Sequence, residues 1–182
     1  MTARKTIVVT GLLGSGKSAL SRLLEKKGIP VYDCDSRVKA LYAVHPEIAS
    51  LLCPDIFSDP QRLLSLENAL YPVLTADFER WAHDSGMQFV AMESAILLQK
   101  PYFEDFGDYV LLLDAPLEMR LERARRRGGI SEESLRQRML LQTDQKTNPR
   151  VSRVIDNSAT LEHMEKQLDE FLKDIDYVKR EN

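Results

Sequence analysis

Eight residues near the start of the chain, Gly11-Leu12-Leu13-Gly14-Ser15-Gly16-Lys17-Ser18, fit the pattern G-x-x-x-x-G-K-[ST]. Glycines let successive backbone N–H groups converge on one anion without intervening side chains. A helix starting behind them adds the positive end of its dipole. In such a turn Lys17 bridges the outer phosphates of a nucleotide, and the Ser18 hydroxyl sits on Mg²⁺. The chemistry implied is the holding of a polyphosphate.

Acidic residues supply the other half of that chemistry. Asp33 and Asp35 follow the short apolar run Pro30-Val31-Tyr32. Alternation along an extended segment points both carboxylates the same way, toward the edge where open α/β sheets bind ligands. One of them is suited to accept a proton from an attacking hydroxyl, the other to position substrate or metal-bound water. Asp35 also fits a helix cap before Ser36-Arg37, and the neighbouring phosphate loop favours catalysis. Glu93 ends a third apolar run, where an acidic residue reaches Mg²⁺ through water. Asp114 ends a fourth, but Pro116 follows and a turn-forming role fits it better.

Arginine crowds the segment Leu117 to Arg127: Arg120, Arg123, Arg125, Arg126 and Arg127, with only Glu118 and Glu122 beside them. Such charges repel unless a polyanion arrives. Arg123 and Arg127 are expected to touch phosphate, Arg120 and Arg125 to form a solvated face. Gly128-Gly129 allows this helix to move as a lid that excludes water during transfer.

These residues need a frame. Thr6 to Thr10 reads as a buried strand, Gly16 to Lys27 as a helix with Leu20, Leu23 and Leu24 on one face, and Pro30 to Tyr32 as a second strand. Strand, glycine loop, helix and strand make a βαβ unit and hence a parallel sheet. Phe89 to Met92, Tyr109 to Leu113 and Val151 to Ile155 complete five strands. Residues 36–86 break the rhythm as a helical insertion, with segments over Arg37 to Tyr42, Glu47 to Leu52 and Ser65 to Trp81. Pro46, Pro54, Pro60 and Pro72 punctuate it. Helices are also predicted over Ser131 to Gln142 and Thr160 to Ile175. The fold class expected is α/β, a P-loop NTPase with a five-stranded parallel sheet flanked by helices, like nucleoside monophosphate kinases. One domain spans 1–182, with the insertion at 36–86 and a lid region at 117–147. Tyr71, Phe78 and Trp81 read as core of the insertion, and His45, His83 and His163 carry no readable role.

With 43% apolar and 29% charged residues the chain is an ordinary globular protein. Its net charge of −3 argues against nucleic acid or anionic membrane as a partner. Cys34 and Cys53 form no metal-ligand spacing and suit a reducing cytoplasm. Glycines and Lys17 interrupt the first apolar stretch too early for a signal peptide. No stretch approaches the roughly 18 apolar residues of a membrane span. Composition leaves monomer and weak homo-oligomer both open.

The ensemble resembles the dephospho-coenzyme A kinase family over almost the full length. "TGLLGSGKS" is similar to that family's opening loop and "VYDCDSRVK" to its Asp-x-Asp segment. "ALYPVL" resembles its Leu-x-His-Pro element, "ESAILL" the third-strand element and "VIDNSAT" the final strand and turn. The resemblance implies an enzyme that phosphorylates the 3′-hydroxyl of dephospho-CoA's ribose with ATP and Mg²⁺. It implies Asp35 as base with Asp33 beside it, and Arg138 and Lys146 as phosphate contacts. It puts Asn157 at the adenine and the dephospho-CoA arm on the insertion. Leu12, Leu13 and Ala19 join the rest of the loop, Arg123, Arg127, Arg138 and Asn157 in the expected ATP site. The chain departs from the family at Tyr71, where histidine is usual, at Gln99, where an acid is common, and at Ser158. A nucleoside monophosphate kinase is the alternative of the same fold. A switch GTPase would need an Asn-Lys-x-Asp segment, and the chain has none. A non-catalytic CoA binder would not need Lys17, Ser18, Asp33 and Asp35 together.

Overall fold

A computed structural model describes residues 3–53, 56–128, 136, 139 and 144–177, with the side chains of Phe57 and Arg127 left out. The chain divides into two compact units, Met1–Val31 with Gln88–Asn182, and Tyr32–Met87.

A five-stranded sheet carries the first unit, its edge strand running from Val31 of that unit into Tyr32 and Asp33 of the second. Its strands are β1 (Lys5–Gly11), β2 (Val31–Asp33), β3 (Phe89–Glu93), β4 (Tyr109–Asp114) and β5 (Arg153–Asp156), in the order β2-β3-β1-β4-β5. Pairing is parallel between β1 and β3, β1 and β4, and β4 and β5. β1 is central and buried from Thr6 to Gly11, as its β-branched run Ile7-Val8-Val9-Thr10 requires. Parallel pairing brings the carboxyl ends of β1, β3, β4 and β5 to one edge. Val9 lies opposite Glu93, Gly11 opposite Leu113, and Asp114 opposite Asp156.

Helix α1 (Lys17–Lys26) buries Leu20, Leu23 and Leu24 against Ile7, Val9, Leu111, Leu113 and Ile155. Helix α6 (Leu161–Asp174) closes the same core with Met164, Leu168, Phe171 and Leu172, at three- and four-residue spacing. Thr160 caps α6 by accepting from the His163 N–H at 3.2 Å. Helix α5 (Leu117–Arg127) makes a smaller core, Leu121 and Ala124 with Met139, against which Leu13 packs. The last strand starts at Arg153 rather than Val151, because the Ser152 hydroxyl takes the Val110 N–H at 3.0 Å. The helix expected over Ser131 to Gln142 lies outside the described residues apart from Arg136 and Met139, which are helical.

The second unit holds α2 (Cys34–Val44), α3 (Pro46–Ala49) and α4 (Pro60–Asp84). Asp59 caps α4, accepting from the N–H groups of Gln61 and Arg62 at 3.1 and 3.2 Å, with Pro60 at the first helical position. Pro72 lies inside α4, as the helical segment expected over Ser65 to Trp81 implies. Burial of Leu66, Leu70, Tyr71, Leu74 and Phe78 along one face outweighs the single backbone bond a proline removes. Tyr32 is fully packed, edge-on to Phe78 and Trp81 at 5.3 Å each, and its hydroxyl donates to Asp77 at 2.6 Å. Among the described residues no helix is long and apolar enough to cross a membrane.

Leu168 of α6 has no exposed surface and belongs to the core shared by α1, α6 and the sheet. Leu168→Ala is expected to lower stability by about 2–5 kcal/mol. A urea titration reads this as a lower midpoint at unchanged slope.

Candidate active site

The loop between β1 and α1 is shaped by two close approaches. Gly14 (φ 77°) and Gly16 (φ 107°) both adopt left-handed backbone. A Cβ on Gly14 would strike the Arg120 carbonyl, and one on Gly16 would strike the Asn157 amide nitrogen. Lys17 folds across the turn, its Nζ donating to the Gly11 carbonyl at 2.9 Å. The Ser15 N–H donates to Leu12 O at 3.1 Å, and the Ser15 hydroxyl is buried with no hydrogen-bond partner among the described residues. Ala19, the third residue of α1, is half-buried against the main core.

Glu93 ends β3 beside this loop. Its Oε2 accepts from Ser21 Oγ at 2.6 Å and its Oε1 from Ser18 Oγ at 3.4 Å. Ser18 and Ser21 are one turn apart on α1, so a single carboxylate spans both hydroxyls. Hard oxygens of this kind suit Mg²⁺, which takes one or two protein ligands and completes its shell with phosphate and water. Among the described residues no group of three or more His, Cys, Asp or Glu could hold a metal ion.

The ends of β4 and β5 form a second wall. Leu12, Asp114, Ala115, Pro116, Leu117, Arg120, Asp144, Lys146, Asp156 and Ser158 line a cavity of about 450 Å³. Lys146 Nζ pairs with Asp114 Oδ2 at 2.6 Å, and that hydrogen bond raises the lysine pKa. Asp114 is therefore an ion-pair partner rather than only a turn former. Arg120, expected on a solvated face, is 8% exposed: its Nε donates to Ala115 O at 3.1 Å and its Nη1 to Leu13 O at 3.5 Å. Burial pulls its guanidinium pKa down. A helix rich in arginine does not reveal which one faces inward, and apolar packing of Leu121 and Ala124 turns Arg120 toward the loop. Arg125 and Arg126 are exposed.

Arg123 is half-buried and donates through Nη2 to the Asn157 carbonyl at 2.9 Å. Asn157, which the resemblance puts at the adenine, is turned away from the cavity: its Nδ2 donates to the Ser15 carbonyl at 2.7 Å. Its neighbours Asp156 and Ser158 line the cavity instead. The Arg127 side chain and Arg138 lie outside the described residues.

In the second unit Asp33, not Asp35, caps the next helix. Its Oδ1 accepts from the N–H groups of Asp35 and Ser36 at 3.0 and 3.5 Å, and its Oδ2 from Ser36 Oγ at 2.6 Å. The helix begins at Cys34, three residues before the Arg37 expected, which moves the cap from Asp35 to Asp33. Asp35 stands exposed in the first turn of α2.

Sequence comparison decides the family. The family model of dephospho-CoA kinase matches residues 49–163, more than half of the chain. The chain belongs to the dephospho-CoA kinase family. A dephospho-CoA kinase of Porphyromonas gingivalis is 38% identical over 156 residues, covering 75% of this chain and 77% of the relative. One from Deinococcus radiodurans is 31% identical and covers 96% of this chain and 94% of the relative, so the likeness includes the phosphate loop. A crystal structure from Thermus thermophilus superposes with a TM-score of 0.79 at 29% identity, covering 96% of this chain and 99% of that one. A shikimate kinase from Acinetobacter baumannii (TM-score 0.60, 18% identity) shares the P-loop kinase fold.

Within this dephospho-CoA kinase family member the three departures have structural settings. Tyr71 is buried in α4, and burial followed by Glu67 pushes its pKa up. Gln99 closes a short 3-10 turn, Leu97–Gln99. Ser158 gives its N–H and hydroxyl to the Asp156 carboxylate at 3.0 and 2.8 Å.

The cap and the charge of Asp33 are separable. Asp33→Asn keeps a capping oxygen and is expected to melt close to wild type, whereas Asp33→Ala should lose about 1 kcal/mol in thermal unfolding. Equal stability of the two would remove the capping role.

Proposed function

We propose that the protein transfers the γ-phosphoryl group of ATP to the ribose 3′-hydroxyl of dephospho-CoA, giving CoA and ADP, the final step of coenzyme A biosynthesis. The observation that carries this reading is the likeness to dephospho-CoA kinases along the chain, in a sequence that keeps the whole phosphate loop.

In this reaction a bond forms between the 3′-oxygen and the γ-phosphorus, and the bond to the β,γ-bridging oxygen breaks. The hydroxyl proton goes to Asp35, whose exposed carboxylate in the first turn of α2 is able to take it. Asp33 is committed to its cap and fixes the backbone that carries Asp35. Lys17 neutralises the β- and γ-phosphates as charge shifts to the leaving oxygen, and the loop N–H groups hold the β-phosphate. Ser18, backed by Glu93, would hold Mg²⁺, which would offset the charge of the phosphates. Arg123, Arg127 and Arg138 add positive charge from the lid side. The cavity between Leu12, Ala115, Pro116 and Ser158 has the size and mixed lining of a purine site. Residues 36–86 receive the dephospho-CoA arm, whose bulk explains an insertion larger than a nucleotide monophosphate needs. Cys34 and Cys53, which show no metal-ligand spacing, suit a reducing cytoplasm.

A coupled ADP-release assay with dephospho-CoA, AMP, CMP and adenosine tests the acceptor. Turnover is expected with dephospho-CoA, and a preference for AMP or CMP would replace the reading with a nucleoside monophosphate kinase. Lys17→Ala should abolish turnover. Asp35→Asn should slow transfer by roughly 10² or more while leaving ATP binding intact. Lost ATP affinity with an unchanged transfer step would remove Asp35 as the base.

A further inference from the structure

One side chain connects the turn after β5 to the phosphate loop. Asn157 is 7% exposed, and its backbone is held on both sides. Its N–H donates to Asp114 O at 2.8 Å, and its carbonyl accepts from Arg123 Nη2 at 2.9 Å. The other terminal nitrogen of Arg123, Nη1, is buried and has no hydrogen-bond partner among the described residues. The Asn157 carbonyl is therefore the contact that fixes this guanidinium. With its backbone pinned, Asn157 directs its amide into the loop, where Nδ2 donates to Ser15 O at 2.7 Å. The volume that Nδ2 fills is the volume a Cβ on Gly16 would need. Gly16 is thus fitted to Asn157 as well as to an anion.

Peptide geometry turns this contact into a device. In a planar trans peptide the C=O of one residue and the N–H of the next point in opposite directions. Holding the Ser15 carbonyl on Asn157 therefore aims the Gly16 N–H to the opposite side of the loop. A flip of that peptide would present an oxygen where the loop needs a donor, and would replace attraction of a phosphate with repulsion.

We propose that Asn157 is the positioning residue of the phosphate loop, with Arg123 holding it from α5. It sets the Ser15–Gly16 peptide and does not read the base. This rests on the reading that the loop binds the phosphates of ATP. It also links α5, the root of the lid region, to the loop through a chain of two hydrogen bonds.

Calorimetric titration of the full chain with ATP, GTP and inorganic tripolyphosphate, each with Mg²⁺, tests this in wild type, Asn157→Ala, Asn157→Asp and Arg123→Lys. Asn157→Ala is expected to weaken ATP and tripolyphosphate by the same factor, about tenfold, the worth of one well-formed hydrogen bond. The ATP-to-GTP ratio and the KM for dephospho-CoA stay unchanged. Asn157→Asp keeps the shape but sets an oxygen against the Ser15 carbonyl, and should weaken both ligands at least as much. Arg123→Lys should weaken both in the same proportion by a smaller factor. If Asn157→Ala does not fold, as judged by circular dichroism, the Asp and Lys variants carry the test. Weakened ATP with unchanged tripolyphosphate, or a changed ATP-to-GTP ratio, would make Asn157 a base reader and overturn the proposal. Unchanged binding of both ligands would overturn it too. Wild-type protein that binds neither ATP nor tripolyphosphate would instead refute the phosphate-loop reading itself.

Discussion

The hydrogen bond from the Asn157 amide to the Ser15 carbonyl joins residues 142 positions apart and gives the phosphate loop its shape. Everything below it serves to bring those two turns together. The sheet order sets β4 between β1 and β5, so the turns after β1 and β5 meet across the end of β4. Helices α1 and α6 share one core beneath them, which fixes the angle at which each turn leaves the sheet. An anion-binding turn has little internal cohesion, since its donors must face outward to the ligand. Its conformation has to be imposed from the side, and Asn157 and Arg120 impose it from two directions.

Electrostatics at the same edge follow a consistent rule: each strand-end carboxylate has a partner. Glu93 takes Ser18 and Ser21, Asp114 takes Lys146, and Asp156 takes Ser158. Donors on these carboxylates temper their repulsion toward a phosphate at close range, which a partly dry cleft would otherwise strengthen. Lys17, Arg120, Arg123 and Lys146 supply the opposing positive charge. Phosphoryl transfer needs alignment and charge neutralisation more than covalent help from the protein, and this edge is organised for both.

Much of the molecule was legible in the sequence because its signals are local. The phosphate loop is a contiguous pattern, β1 a contiguous β-branched run, and α1 and α6 regular apolar stripes. What escaped is what depends on three-dimensional neighbours. Nothing in the spacing from Ser15 to Asn157 marks them as partners. Arg120 looked like its solvated neighbours because burial is set by helix rotation, which Leu121, Ala124 and Leu13 fix. The cap fell to Asp33 because the helix starts at Cys34 rather than Arg37, less than one turn earlier. The helix over Ser65 to Trp81 was legible across Pro72, because α4 carries enough buried side chains on one face to run through it. The Ser21 contact to Glu93 was the one miss with a visible signal, a second serine one turn after Ser18.

Phosphorus NMR of the products formed from ATP and dephospho-CoA tests the transfer most directly. The expected result is a phosphomonoester on the ribose 3′-carbon, formed in equal amount with ADP. ADP accompanied by free inorganic phosphate, at the same rate with and without dephospho-CoA, would contradict it.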